Sequence, residues 1–270
     1  MSNAGPPSPE LRDPSRRSGS AAVNDTGADA QGSDDSHRGP RARPWWLAPA
    51  LTGVLSAALL AFMTWQVVER GFVIDWDWPF HEYVDARQPE GVARELLDGV
   101  ASLGGQRLYT LPIVVAVGVW VAWKQRKIRV LIAVGSGLAT VFFIGYWIKF
   151  SLARTAPHTG MDILHGDGQA FPSGHTANAT LTWFLIATIL FGAHGWRPDR
   201  RRFRQATVAA CVIVFLAGAL MALLDYHWLS DIPGGWLLGA LALSVANAVL
   251  RVRLPWPILD WPSTRSSQRH

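Results

Sequence analysis

Six long stretches without a charged side chain, at residues 47–68, 108–123, 130–148, 176–193, 205–224 and 232–250, dictate what this 270-residue chain can become. A hydrocarbon core about 30 Å thick is crossed by roughly 20 helical residues, whose backbone groups satisfy one another inside the helix. The pattern therefore predicts an all-α, polytopic membrane protein with six transmembrane helices in one bundle over residues 45–254. The composition agrees: 49% of residues are hydrophobic and only 17% charged. The stretch at 108–123 is short. It is expected to extend into Gly104–Arg107 or to end with Lys124 reaching up to the interface.

Lys and Arg gather preferentially in cytoplasmic connections. Arg38, Arg41 and Arg43 precede the first stretch, Lys124, Arg126, Lys127 and Arg129 separate the second and third, and Arg197, Arg200, Arg201, Arg202 and Arg204 separate the fourth and fifth. Arg251 and Arg253 follow the sixth. All four clusters fall on one side, which places both termini in the cytoplasm. The opposite connection at 69–107 holds eight acidic and four basic side chains and is expected to face outward. Within it, "VARELLDGVASL" has the pattern of a short amphipathic helix. The net charge of +5 is first a topology signal and then an attraction to anionic lipid headgroups; nucleic acid is not implied.

Residues 1–44 are rich in Ser, Gly, Pro, Ala and Asp without apolar periodicity, and read as a disordered cytoplasmic tail. Residues 255–270 read as a short cytoplasmic C-terminal tail. The first apolar run begins only near Trp46 and is long enough to span, unlike a cleaved leader. The lone Cys211 excludes an intramolecular disulfide. Nothing in the pattern specifies an oligomer.

The polar residues at the expected outer ends of the last four stretches carry the chemistry. Lys149 ends the third, with Arg154 about a turn later; Ser173, Gly174 and His175 open the fourth; His227 and Asp231 join the fifth to the sixth. Singly, each has a plain explanation: Lys149 as an interfacial anchor, Ser173 and Asp231 as helix caps. Together they suit phosphoryl transfer. A helix start at Ser-Gly offers free N–H groups to an anion, Lys149 and Arg154 are cationic donors, and two histidines can divide attack and leaving-group protonation. Asp231, four residues after His227, can accept the other ring N–H. No cofactor or metal is required by this scheme. His158, Asp162, His165 and Asp167 in the outer loop match no standard ligand spacing.

"FPSGH" before an apolar helix, Lys149 some two dozen residues earlier and "YHWLSDIPGGWLLG" some fifty residues later resemble the membrane branch of the type 2 phosphatidic acid phosphatase and haloperoxidase superfamily. The resemblance spans roughly residues 45–250. It implies a six-helix lipid phosphatase with an outward-facing site and a phosphohistidine intermediate, acting on a lipid phosphate or polyprenyl diphosphate. By position, it makes His227 the nucleophile, Asp231 its orienting partner and His175 the general acid. Lys149, Ser173 and Gly174 become phosphate binders. The sequence departs from the family pattern where "KFSLARTAP" puts Ala156 in the place of an arginine, and where Leu220 and Met221 replace Ser-Arg. Arg154 is expected to substitute from two positions earlier. The thinned phosphate cradle leaves one alternative of another class, a non-catalytic lipid-phosphate binder or transporter.

Overall fold

The computed structural model describes residues 47–252; the two expected tails lie outside these described residues. Eight α-helices follow in order: α1 (Leu47–Glu69), α2 (Asp77–Asp85), α3 (Gly91–Gly105), α4 (Arg107–Gln125), α5 (Arg129–Leu152), α6 (Gly174–Phe191), α7 (Arg200–Leu223) and α8 (Asp231–Arg251). Short 3-10 turns lie at Ile74–Trp76 and Pro157–Thr159, and no strand occurs among the described residues.

Local chemistry sets several of the helix boundaries. α4 begins at Arg107 and runs through Lys124, so the short apolar stretch is lengthened at both ends. It stops where Arg126 takes a left-handed conformation and Lys127 N–H returns to the Ala122 carbonyl at 3.0 Å. α5 ends in the same way at Ala153, which has φ of 42°. Ser173 caps α6 through Thr176 N–H, and Asp199 caps α7 by accepting from the N–H groups of Arg201 and Arg202. The amphipathic segment in the 69–107 connection is α3, which ends one residue before α4 and packs on α6 and α7.

Five helical stretches, Leu47–Glu69, Gly91–Gln125, Arg129–Thr159, Arg200–Leu223 and Asp231–Arg251, are long and apolar enough to cross a membrane. Large apolar side chains such as Phe143, Trp147 and Phe150 on α5 and Phe215 on α7 are exposed on the surface, as contact with lipid requires. The chain is a multi-pass membrane protein. The fourth apolar stretch of the sequence, α6, falls outside this set because its first turns carry His175, Asn178 and several threonines. Its position explains the polarity. α6 is surrounded by α3, α4, α5, α7 and α8, so protein rather than lipid covers it.

Because lipid tails are as apolar as leucine, helices in a bilayer associate through close packing. Gly235 and Gly239, one turn apart on α8, provide it. A Cβ on Gly235 would lie 1.8 Å from Thr176 Oγ1, and one on Gly239 would lie 2.5 Å from Thr180 Cβ. This contact holds the start of α6 beside the start of α8. Leu181, Leu185, Ala242 and Ala246 continue the α6–α8 seam into a core shared with α4 and α5.

Candidate active site

The site is built where α5 ends and α6 and α8 begin. Ser173 N–H donates to the Asp231 carbonyl at 3.0 Å, tying the cap of α6 to the first residue of α8. Tyr226 and His227 N–H both return to the Met221 carbonyl, at 3.0 and 3.2 Å, so the turn leaving α7 fixes the backbone of His227. The rings of His175 and His227 then stand 6.5 Å apart, centroid to centroid, inclined at 64°. His227 Nδ1 faces Asp231 Oδ2 at 3.4 Å, and the same oxygen accepts Trp228 N–H at 2.9 Å.

Lys149, Gly174, His175 and His227 line one cavity of about 580 Å³. Gln106, Arg107, Tyr146, Gln169 and Asn178 complete its polar part, while Leu108, Leu111, Leu138, Val141, Phe142 and Leu238 form an apolar wall. No carboxylate is among these lining residues. Lys149 Nζ donates to the Gln169 carbonyl, and its Cε is 3.9 Å from where a Cβ on Gly174 would lie. The head of the cavity is therefore cationic, and its wall suits a hydrocarbon chain.

Two expected phosphate ligands are placed elsewhere. The Ser173 hydroxyl is fully buried, caps α6 and does not line the cavity. Arg154 is only 1% exposed and also stays out of the cavity. Its Nε donates to Asp162 Oδ1 at 2.8 Å; Nη1 donates to Ser230 Oγ and Asp231 Oδ1, each at 2.9 Å. Nη2 donates to Asp77 Oδ2 at 2.7 Å and Asp162 Oδ2 at 3.0 Å. A guanidinium has five N–H groups, and these bonds use all of them. Arg154, expected among the phosphate ligands, is thus placed at the hub of a buried carboxylate cluster. Ala153 turns the chain at the end of α5, and the next side chain meets Asp231 on the oxygen that does not face His227.

Asp77 is a member of this cluster that the sequence did not single out. Besides pairing with Arg154, it accepts Ser230 N–H at 2.7 Å and Ser230 O–H at 2.6 Å, clamping α2 onto the start of α8. Burial pushes its carboxyl above the usual carboxylate range, and the Arg154 guanidinium opposes that shift. As one of eight acidic residues in its connection, it carried no distinguishing local signal. Trp228 closes the cluster, stacking on Trp78 at 5.7 Å and donating its indole N–H to the Thr155 carbonyl at 2.7 Å. Asp162, one of the loop residues with ligand-type side chains, is committed to Arg154 and Arg70. The described residues contain no group of three or more His, Cys, Asp or Glu arranged to hold a metal ion.

The similarity of this all-helical membrane protein to known proteins makes it an integral-membrane phosphatase. Residues 130–254 match the family model of the PAP2 superfamily and constitute a PAP2 superfamily domain. Phosphatidylglycerophosphatase B of Bacillus subtilis (strain 168) is a homologue, 25% identical over 150 residues, which are 54% of this chain and 70% of that protein. The fold is also that of a crystal structure described as the first transmembrane PAP2 type phosphatidylglycerolphosphate phosphatase from Bacillus subtilis. That likeness has a TM-score of 0.60 at 20% identity and covers 72% of this chain and 94% of the other.

Proposed function

We propose that this protein removes phosphate from a membrane lipid phosphate or polyprenyl diphosphate through a phosphohistidine, at the outer end of a six-span bundle that includes α6. The observation that carries the reading is the joining, in one cavity, of Lys149 and two histidines with an apolar wall from α4 and α5. A lipid phosphate has both halves of that chemistry.

In this mechanism the phosphate rests against Lys149 and the N–H groups of Gly174 and His175, which lack intrahelical acceptors in the first turn of α6. Asp231 engages Nδ1 of His227, leaving Nε2 to attack phosphorus. As the N–P bond forms, the P–O bond to the lipid breaks, and His175 gives its proton to the departing oxygen. Neutral His175 then takes a proton from water, whose oxygen attacks phosphorus. Orthophosphate leaves and His227 is restored. Nucleophile, acid and charge stabilisation are all supplied by groups of the protein itself, so the proposed reaction requires no metal.

The test is phosphate release from phosphatidic acid, phosphatidylglycerol phosphate and polyprenyl diphosphate by the detergent-solubilised protein, with and without chelator. Release that survives chelation is expected. Saturable binding of these lipids without release from any of them would instead establish the binder or transporter reading. Orientation is tested separately in a Cys211→Ser background. A cysteine replacing exposed Thr159 should react with an impermeant thiol reagent in intact cells, whereas one replacing Arg201 should not.

A further inference from the structure

We infer that Arg107, at the start of α4, is the substrate-phosphate ligand that replaces the guanidinium groups missing from the family pattern, with Tyr146 as its positioning residue. This rests on the phosphatase reading above. It extends that reading to a residue outside 130–254, the segment that matches the PAP2 family model.

The site is short of the positive charge that the family pattern supplies. Ala156 and Met221 occupy the positions where the pattern places arginines, and Met221 is buried in an apolar cluster with Ala101, Leu220, Leu224 and Ile232. Arg154 has no N–H group left. A phosphoryl group in transition spreads negative charge over its equatorial oxygens and needs more than one fixed cation beside it. Arg107 and Lys149 are the Lys and Arg side chains among the residues lining the cavity.

Arg107 is also held as a ligand should be. Its Nη1 donates to the Tyr146 hydroxyl, and its Cζ lies 5.9 Å from the centre of the Tyr146 ring. Tyr146 is itself fixed between Phe142 and Phe150 on the same face of α5, at centroid distances of 4.9 and 5.6 Å. The aromatic column thus anchors one edge of the guanidinium. The remaining N–H groups have no partner among the described residues. It lines the same cavity as Lys149, His175 and His227, which places it beside the proposed reacting centre. A planar, permanently charged fork suits two phosphate oxygens at once, in a way that a lysine cannot reproduce.

The test compares Arg107→Ala, Arg107→Lys and Tyr146→Phe in the full-length protein, each first shown to be monodisperse in detergent. Two readouts are taken: kcat/KM on phosphatidic acid, and the Kd of inorganic phosphate from its protection against thermal unfolding. Arg107→Ala should lower kcat/KM on the order of a hundredfold and weaken phosphate binding at least about tenfold. Arg107→Lys should recover part of both losses, and Tyr146→Phe should show a smaller loss of the same sign. An Arg107→Ala protein with wild-type values in both readouts overturns the assignment. Should the wild type release no phosphate from any lipid, the catalytic reading fails by itself. Phosphate protection then decides for Arg107 if it depends on that side chain and against it if it does not. If the alanine variant does not fold, Arg107→Gln supplies the same comparison with the charge alone removed.

Discussion

Arg154 Nη1 donates to Asp231 Oδ1 at 2.9 Å, while the other oxygen of the same carboxylate faces His227. Arg154 therefore contacts the carboxylate that faces His227, and it does not line the cavity. Asp231 is fully buried, and without a cation its charge would be costly to maintain. The guanidinium holds the rotamer of the carboxylate, and through it the orientation of the His227 ring.

Arg154→Lys is accordingly expected to reduce kcat tenfold or more while leaving KM close to wild type. An ammonium cannot satisfy Asp77, Asp162 and Asp231 in one geometry. Arg154→Ala should destabilise the fold by about 3–5 kcal/mol, because three carboxylates lose their common partner. Steady-state kinetics on folded Arg154→Lys decides the matter. A raised KM with unchanged kcat would return Arg154 to the role of phosphate ligand.

The two histidines should separate by the intermediate they allow. His227→Ala is expected to abolish acid-labile phosphoenzyme. His175→Ala should still form it from a substrate whose leaving group needs little protonation. Asp231→Asn should slow turnover with little change in substrate binding. Rapid quench with labelled substrate provides the measurement, and equal loss of phosphoenzyme in both alanine variants for every leaving group would sink the assignment.

Restoring the absent motif arginine at Met221 should harm the protein. Met221 is only 3% exposed and lies outside the cavity, packed among apolar side chains. An arginine there would be a buried charge without a partner, at a cost of several kcal/mol. Met221→Arg is expected to lower thermal stability with no gain in phosphate release. A well-folded variant with raised kcat/KM would show that the α7–α8 turn rearranges to admit the new side chain.

The pH dependence of stability should carry a contribution from Asp225. Burial raises its carboxyl above the usual 3.8, and His81, bonded to it at 2.7 Å, opposes that rise. A raised pKa means that the folded state holds the proton more tightly than the unfolded chain. Its contribution is fully present below 3.8 and is lost as pH rises through the folded-state value. Asp225→Asn should therefore flatten the pH profile of thermal inactivation on that side. Superimposable profiles for the two proteins would remove Asp225 as the source.

What the sequence determined by itself was the set of long helices, because helix formation in a membrane is a local matter of uncharged length. The six apolar stretches correspond to α1, α4, α5, α6, α7 and α8, and "VARELLDGVASL" lies within α3. The convergence of Lys149, Gly174, His175 and His227 was legible for a related reason: each sits at a helix end, and antiparallel helices return their ends to the same level. What only the tertiary structure decided was the direction each side chain takes from there. Arg154 and Asp77 are 77 residues apart, and their bond depends on how α2 folds back over the start of α8. Arg107 reads in sequence as the polar end of a short span, and it enters the cavity only because α4 packs against α5 and α6. Spacing along a chain fixes the level of a residue in the bilayer. The rotation of its helix, set by contacts such as Gly235 against Thr176, fixes what that residue can touch.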